Sequence, residues 1–85
     1  MPFGRAMPID DAVKLVPVYD PALRTFSVQL WKSGAPAGIH GLIEDFTDAN
    51  KAVESINAFL QTAQVRELTN QELSDLGQEL VLIKG

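Results

Sequence analysis

Between Ala12 and Ile43 apolar and polar side chains alternate with a period of two, and from Asp45 onward the period becomes 3.6. The first half therefore predicts strands and the second half helices. The run from Ala12 to Tyr19 is rich in β-branched residues but contains Pro17, which predicts an edge strand or an early end, because proline has no N–H to give a ladder. Asp20-Pro21 opens a turn. In the next run Phe26, Val28 and Leu30 alternate with Thr25, Ser27 and Gln29, so one face is apolar and the other polar. Lys32 to Pro36 forms a turn, and Ala37 to Ile43 reads as a third strand in which Gly38 and Gly41 mark a bulge or a close backbone approach.

In the second half Thr47 is suited to be an N-cap, and Ala49, Ala52, Val53, Ile56, Phe59, Leu60 and Ala63 fall on one helical face. Burial of Val53, Ile56, Phe59 and Leu60, at about 1.5–3 kcal/mol each, makes this helix the clamp on the sheet. Thr69 and Glu72 match a capping box, with Leu68 and Leu73 placed to staple across it and Gly77 placed as a C-terminal cap. Leu80 to Ile83 reads as a short strand, the other reading being a helix that continues through Gly77. The expected fold is α+β: a three-stranded antiparallel meander packed against one main helix, then a short helix and a C-terminal strand, in the order βββααβ. Residues 1–11, with Pro2, Gly4 and Pro8, read as a flexible lead-in, and 12–85 as one domain. Met7 is a second place at which the chain could start.

Composition narrows the function classes. With 85 residues the chain holds one small core. There are no cysteines, hence no disulfides and no thiolate metal ligands. The net charge of −4 is the wrong sign for wrapping nucleic acid or anionic lipid. No apolar stretch follows Arg5 as a secretory signal requires, which leaves the cytoplasm as the expected location.

The chemistry-bearing residues are sparse. His40 is the one histidine, and pairing it with Ser27 or Ser33 would not reproduce a nucleophile elbow. Glu44, Asp45 and Asp48 cluster ahead of the main helix, where negative charge complements the helix dipole, and no EF-hand spacing is present. Gly34, Gly38 and Gly41 lack the lysine and hydroxyl residue of a phosphate loop. These patterns predict no metal, no cofactor and no catalytic residue.

Two families share the rhythm of the chain. The stretch Phe26-Ser27-Val28-Gln29-Leu30-Trp31-Lys32-Ser33-Gly34, followed by Phe46-Thr47 and Ala52, is similar to the arm-type DNA-binding domain of tyrosine recombinases. That resemblance implies a DNA-reading sheet studded with Arg and Lys. Here residues 1–43 hold four basic and three acidic side chains, and residues 44–79 hold two basic and eight acidic ones, so the cations such a sheet needs are missing. The span from Val13 through Leu60, with Gly41, Thr47 and Ala52, is similar to HicB-like antitoxin domains and implies an inhibitor of a small RNase. That family's proline- and aspartate-rich loop is replaced by Trp31 to Pro36.

What remains is a binding surface. Trp31 shares a strand face with Thr25, Ser27 and Gln29, away from the helix-covered side, and exposed tryptophan is enriched at protein contacts. The first strand has apolar residues of both parities, which a sheet with one solvated face does not need. The sequence thus predicts a non-enzymatic protein-interaction domain, homodimeric through the sheet face or an edge strand, with Trp31, Val16, Val18 and Leu42 in the contact. An acidic helical face of Glu44, Asp45, Asp48 and Glu54 is the expected docking site for a basic protein partner, in the manner of an inhibitor or antitoxin. The rival from a different class is a small enzyme or ligand-binding subunit in which Ser33, His40 and Glu44 meet across a protomer interface. A closed pocket around a perturbed His40 would favour the rival, and a freely solvated His40 the interaction domain. A sheet-type DNA-binding module is third.

Overall fold

A computed structural model describes residues 3–85. Four strands come first: β1 (Met7–Asp10), β2 (Val13–Asp20), β3 (Thr25–Lys32) and β4 (Ala35–His40). They form one antiparallel sheet in the order β1-β2-β3-β4. Three helices follow, α1 (Ala49–Glu54), α2 (Ile56–Thr62) and α3 (Asn70–Lys84). The class is α+β, but the order is ββββααα, which corrects the expected three strands with a C-terminal strand.

Each correction has a local cause. The added strand, Met7–Asp10, comes from the segment read as a lead-in; Met7 pairs with Leu15 and Pro8 with Lys14, and Ile9 is buried in the core. That strand makes β2 an internal strand, so Pro17 lies neither at an edge nor at an end. Pro17 is tolerated because its carbonyl points away from β3 and accepts from Gly4 N at 2.8 Å. Its missing N–H is turned to that same side, so the ladder with β3 stays whole.

Leu80 to Ile83 forms the last turns of α3. Leu76 and Leu80 are fully buried while Leu73 and Ile83 pack at the core margin, a 3.6-residue stripe that an apolar run of four residues does not disclose. Gly77 is therefore a mid-helix residue and not a cap. The main helix is two helices broken at Ser55, and its N-cap is Asp48, whose carboxylate accepts from Asn50 N at 2.8 Å, in place of Thr47. A serine at this point bonds back to the carbonyl four residues earlier, here Lys51 O at 3.0 Å, which interrupts a helix that periodicity alone carries through.

The strongest local signals hold. Thr69 and Glu72 make the reciprocal capping box of α3, and Phe26, Val28 and Leu30 all point into the core. Across β2 and β3 they face Tyr19, Pro17 and Leu15. Ile56 and Leu60 of the helical layer are fully buried beside them. Ser33-Gly34, both with positive φ, close the β3–β4 hairpin as a type I′ pair. Lys32 Nζ donates to Ala63 O at 2.7 Å, fastening the far end of β3 to the C-terminus of α2.

Candidate docking face and the His40 cluster

Register decides what the uncovered side of the sheet carries. With Leu15, Pro17 and Tyr19 inward, β2 turns Lys14, Val16, Val18 and Asp20 outward, opposite Trp31, Gln29, Ser27 and Thr25 of β3. β4 adds Ile39 opposite Gln29 and Pro36 opposite Trp31. All three helices pack on the other side. The outer face thus carries Val16 at its centre and Trp31 at one end, both half-buried, whereas Val18, expected in the contact, is only 2% exposed because neighbouring parts of the chain already cover it. At the other end a shallow hollow of about 260 Å³ is bounded by Val18, Leu23, Ile39 and Leu42. Leu23 and Leu42 are more than two-thirds exposed there, and Phe3, bridged to Val18, is also largely in solvent.

Trp31 is braced. Its Nε1 donates to Gln29 Oε1 at 3.0 Å, and Lys14 Nζ lies 5.7 Å from the ring centre. The edges of the sheet are poor sites for another strand. β1 has four residues and contains Pro8, and β4 contains Pro36 and a register shift against Leu30 and Trp31. Short, bulged, proline-bearing edges resist strand addition, so any contact through the sheet goes by its face.

The acidic residues do not form one helical face. Glu44 and Asp45 lie in the loop from β4 to α1, Asp48 caps α1 and Glu54 ends it; all four are exposed. Among the described residues no group of three His, Asp or Glu side chains could hold a metal ion.

His40 fits neither expectation. It is 3% exposed and perturbed, yet it lines none of the cavities described for the chain. Its ring packs between Phe46 and Phe59, with centroids 4.9 and 5.0 Å away. Nε2 lies 3.2 Å from Ala52 O and 2.9 Å from Ser55 Oγ, while Nδ1 lies 3.8 Å from Glu44 Oε2 and has no hydrogen-bond partner among the described residues. Desolvation holds the imidazole below its ordinary 6.5, against smaller opposing effects of the Ala52 carbonyl and the Glu44 charge.

Serine, histidine and glutamate in a row resemble a hydrolytic triad, but the proton is on the wrong nitrogen. Ala52 O can only accept, so Nε2 carries the hydrogen and cannot take one from a nucleophile. The Ser55 hydroxyl is itself committed to Lys51 O. Ser33, in the type I′ turn, is not among the polar partners of His40. Ser55, Phe46 and Phe59 are the members that sequence reasoning missed; only the serine inside a helical pattern offered a signal.

A second groove, about 640 Å³, runs between α1 and α3 and is lined by Val53, Leu73, Gly77 and Val81 among others. Of the described residues, no helix is long and apolar enough to cross a membrane. No protein-family model, curated protein or solved structure matches the chain, so the two resemblances above rest on rhythm alone.

Proposed function

We propose that the chain is a non-enzymatic protein-interaction domain of the cytoplasm that docks a second copy of itself through the outer face of its sheet. The observation that carries this reading is the register of β2 and β3, which turns the half-buried Val16 and Trp31 to the side that no helix covers; Val18 shares that side but is already buried within the chain. Apolar residues on both sides of a strand are expected when both sides are covered.

A second copy suits the face in charge and size. Lys14 stands at one end of its β2 row and Asp20 at the other. A two-fold axis lying in the interface and crossing the strands sets Lys14 of one copy over Asp20 of the other, with valines between them. Strands of four, eight, eight and six residues at ~3.3 Å each and ~4.8 Å apart give a face of roughly 400 Å². Two such faces bury roughly 800 Å², the size of a weak or transient contact, so the dimer is a weak one, of micromolar order at best.

The exposed carboxylates Glu44, Asp45, Asp48 and Glu54 stay outside that contact as a surface for a basic partner. A hydrolytic role for His40 is disfavoured by its Nε2 hydrogen, and a DNA-binding sheet by the single lysine, Lys14, among the outward residues of β2 and β3.

Zero-length carbodiimide cross-linking tests the arrangement. Lys14 and Asp20 are six residues apart on one strand, about 20 Å, so a direct Lys14–Asp20 bond can form only between copies. The expected result is a covalent dimer containing that linked peptide, abolished by Asp20→Asn. Absence of the linked dimer at concentrations well above micromolar contradicts the reading.

A further inference from the structure

We propose that His40 and Glu44 form a proton-operated latch on the loop between β4 and α1: a proton taken up at Nδ1 draws Glu44 inward and shifts Leu42 at the rim of the outer sheet face. The consequence for docking rests on the interaction reading above; the latch itself does not.

The geometry leaves a proton one place to go. Ser55 Oγ donates to Lys51 O, so it receives the Nε2 hydrogen that the ring shares with Ala52 O. Nδ1 is therefore a bare acceptor in the neutral ring, buried and without a partner among the described residues. Protonation turns it into a charged donor facing a carboxylate 3.8 Å away. A charge-assisted bond closes to about 2.8 Å, a movement of roughly 1 Å for the carboxylate.

Glu44 is the group able to answer. The elements around the ring present Val28 from β3, Phe46 from the loop, the Ala52 carbonyl from α1, the Ser55 hydroxyl, and Phe59 from α2. Among the described residues Glu44 supplies the one charge that acts on the imidazole. Its side chain is 47% exposed and in the neutral arrangement accepts from Ile43 N at 3.2 Å.

The loop is fixed at both ends. Gly41 has φ 102° and sits where a Cβ would come within 2.8 Å of Phe26 O, so the chain is pinned there. Phe46 O accepts from Phe26 N at 2.7 Å and pins the other end. Displacement of Glu44 is thus confined to residues 42–45, which include the exposed Leu42 and Ile43 and the left-handed Asp45 at φ 54°. Leu42 bounds the hollow on the outer face. Since burial holds the imidazole below 6.5, the latch is open at neutral pH and closes under acid.

The test follows the His40 ring and the Leu42 methyl groups by NMR from about pH 7.5 to about pH 5, in the wild type and in Glu44→Gln. The latch predicts one shared midpoint below 6.5 in the wild type. In Glu44→Gln the ring midpoint falls further and Leu42 no longer follows it. A ring that titrates while Leu42 stays unmoved overturns the latch, as does a ring that takes up its proton only when the whole spectrum collapses to the unfolded form. Dimer dissociation constants at the two pH extremes separate the claims. A several-fold change in the wild type that Glu44→Gln removes supports both. A Leu42 response in a chain that stays monomeric at both pH values leaves the latch standing and the docking reading refuted.

Discussion

Lys14 and Trp31 face each other across β2 and β3 on the side of the sheet that no helix covers, with the ammonium 5.7 Å from the centre of the indole ring. The same indole is tied to Gln29. A large aromatic side chain held in place by two neighbours loses little freedom when a partner seats on it, which is the property of an interface anchor.

Trp31→Ala should therefore separate association from folding. Trp31 is half-buried and lies outside the core cluster, so the thermal midpoint should move less than for a core substitution. The dimer dissociation constant should rise about tenfold or more, the effect of losing an anchor residue. A loss of stability comparable to that of a core mutant would show that Trp31 serves the monomer instead.

Glycine in a helix interior costs about 1 kcal/mol against alanine unless something needs the space. At Gly77 a Cβ would meet only Val53 Cγ2, at the ordinary contact distance of 3.7 Å. Gly77→Ala should stabilise the fold by about that amount in urea titration. Gly41→Ala should do the opposite, because φ is positive there and the Phe26 carbonyl is too close.

Acid should weaken the fold in two steps. The folded state holds His40 below its ordinary 6.5, so it binds fewer protons than the unfolded chain, and stability falls as pH drops from 6.5 through the lowered value. Glu72, which accepts both guanidinium nitrogens of Arg66 at 2.8 and 2.9 Å and also the Thr69 backbone N–H, is lowered from 4.5 to about 2. Its contribution is present above 4.5 and is lost as pH falls from 4.5 through about 2. Denaturant midpoints against pH should show the first decline in the wild type and the second reduced in Arg66→Ala. Thr69→Ala, which removes the cap, should cost about 1 kcal/mol at neutral pH.

Leu80→Asp should unfold the chain, as should Ile56→Asp, since both side chains are fully buried on the face that the helical layer gives the sheet. Circular dichroism of Leu82→Asp, a residue 69% exposed, should stay native. A strand over residues 80–83 would give Leu80 and Leu82 the same orientation and similar losses.

The alternation of Phe26, Val28 and Leu30 was legible because a half-buried strand writes its face into every second residue, and the Thr69–Glu72 box because two side chains and two backbone groups must match at a set spacing. Two other features depend on distant partners. Met7–Asp10 becomes a strand because Leu15 and Lys14 lie beside it, and its one proline and one charge say nothing of that. Leu80 to Ile83 is too short for its period to be read, and it becomes helix as part of α3, which packs on both β2 and α1. At the candidate site, the outward parity of Val16 and Val18 could be counted along the chain. The cluster at His40 could not, because Ser55, Ala52 and Phe59 reach it only once the helices fold onto β4.

The most direct test of the docking claim is the mass of the chain across a dilution series, by size exclusion with light scattering, for the wild type and Trp31→Ala side by side. A dimer at high concentration that dissociates near micromolar, and that Trp31→Ala shifts to higher concentration, is the predicted result. A wild type that stays monomeric at the highest concentrations contradicts it and leaves the outer face to a partner other than itself.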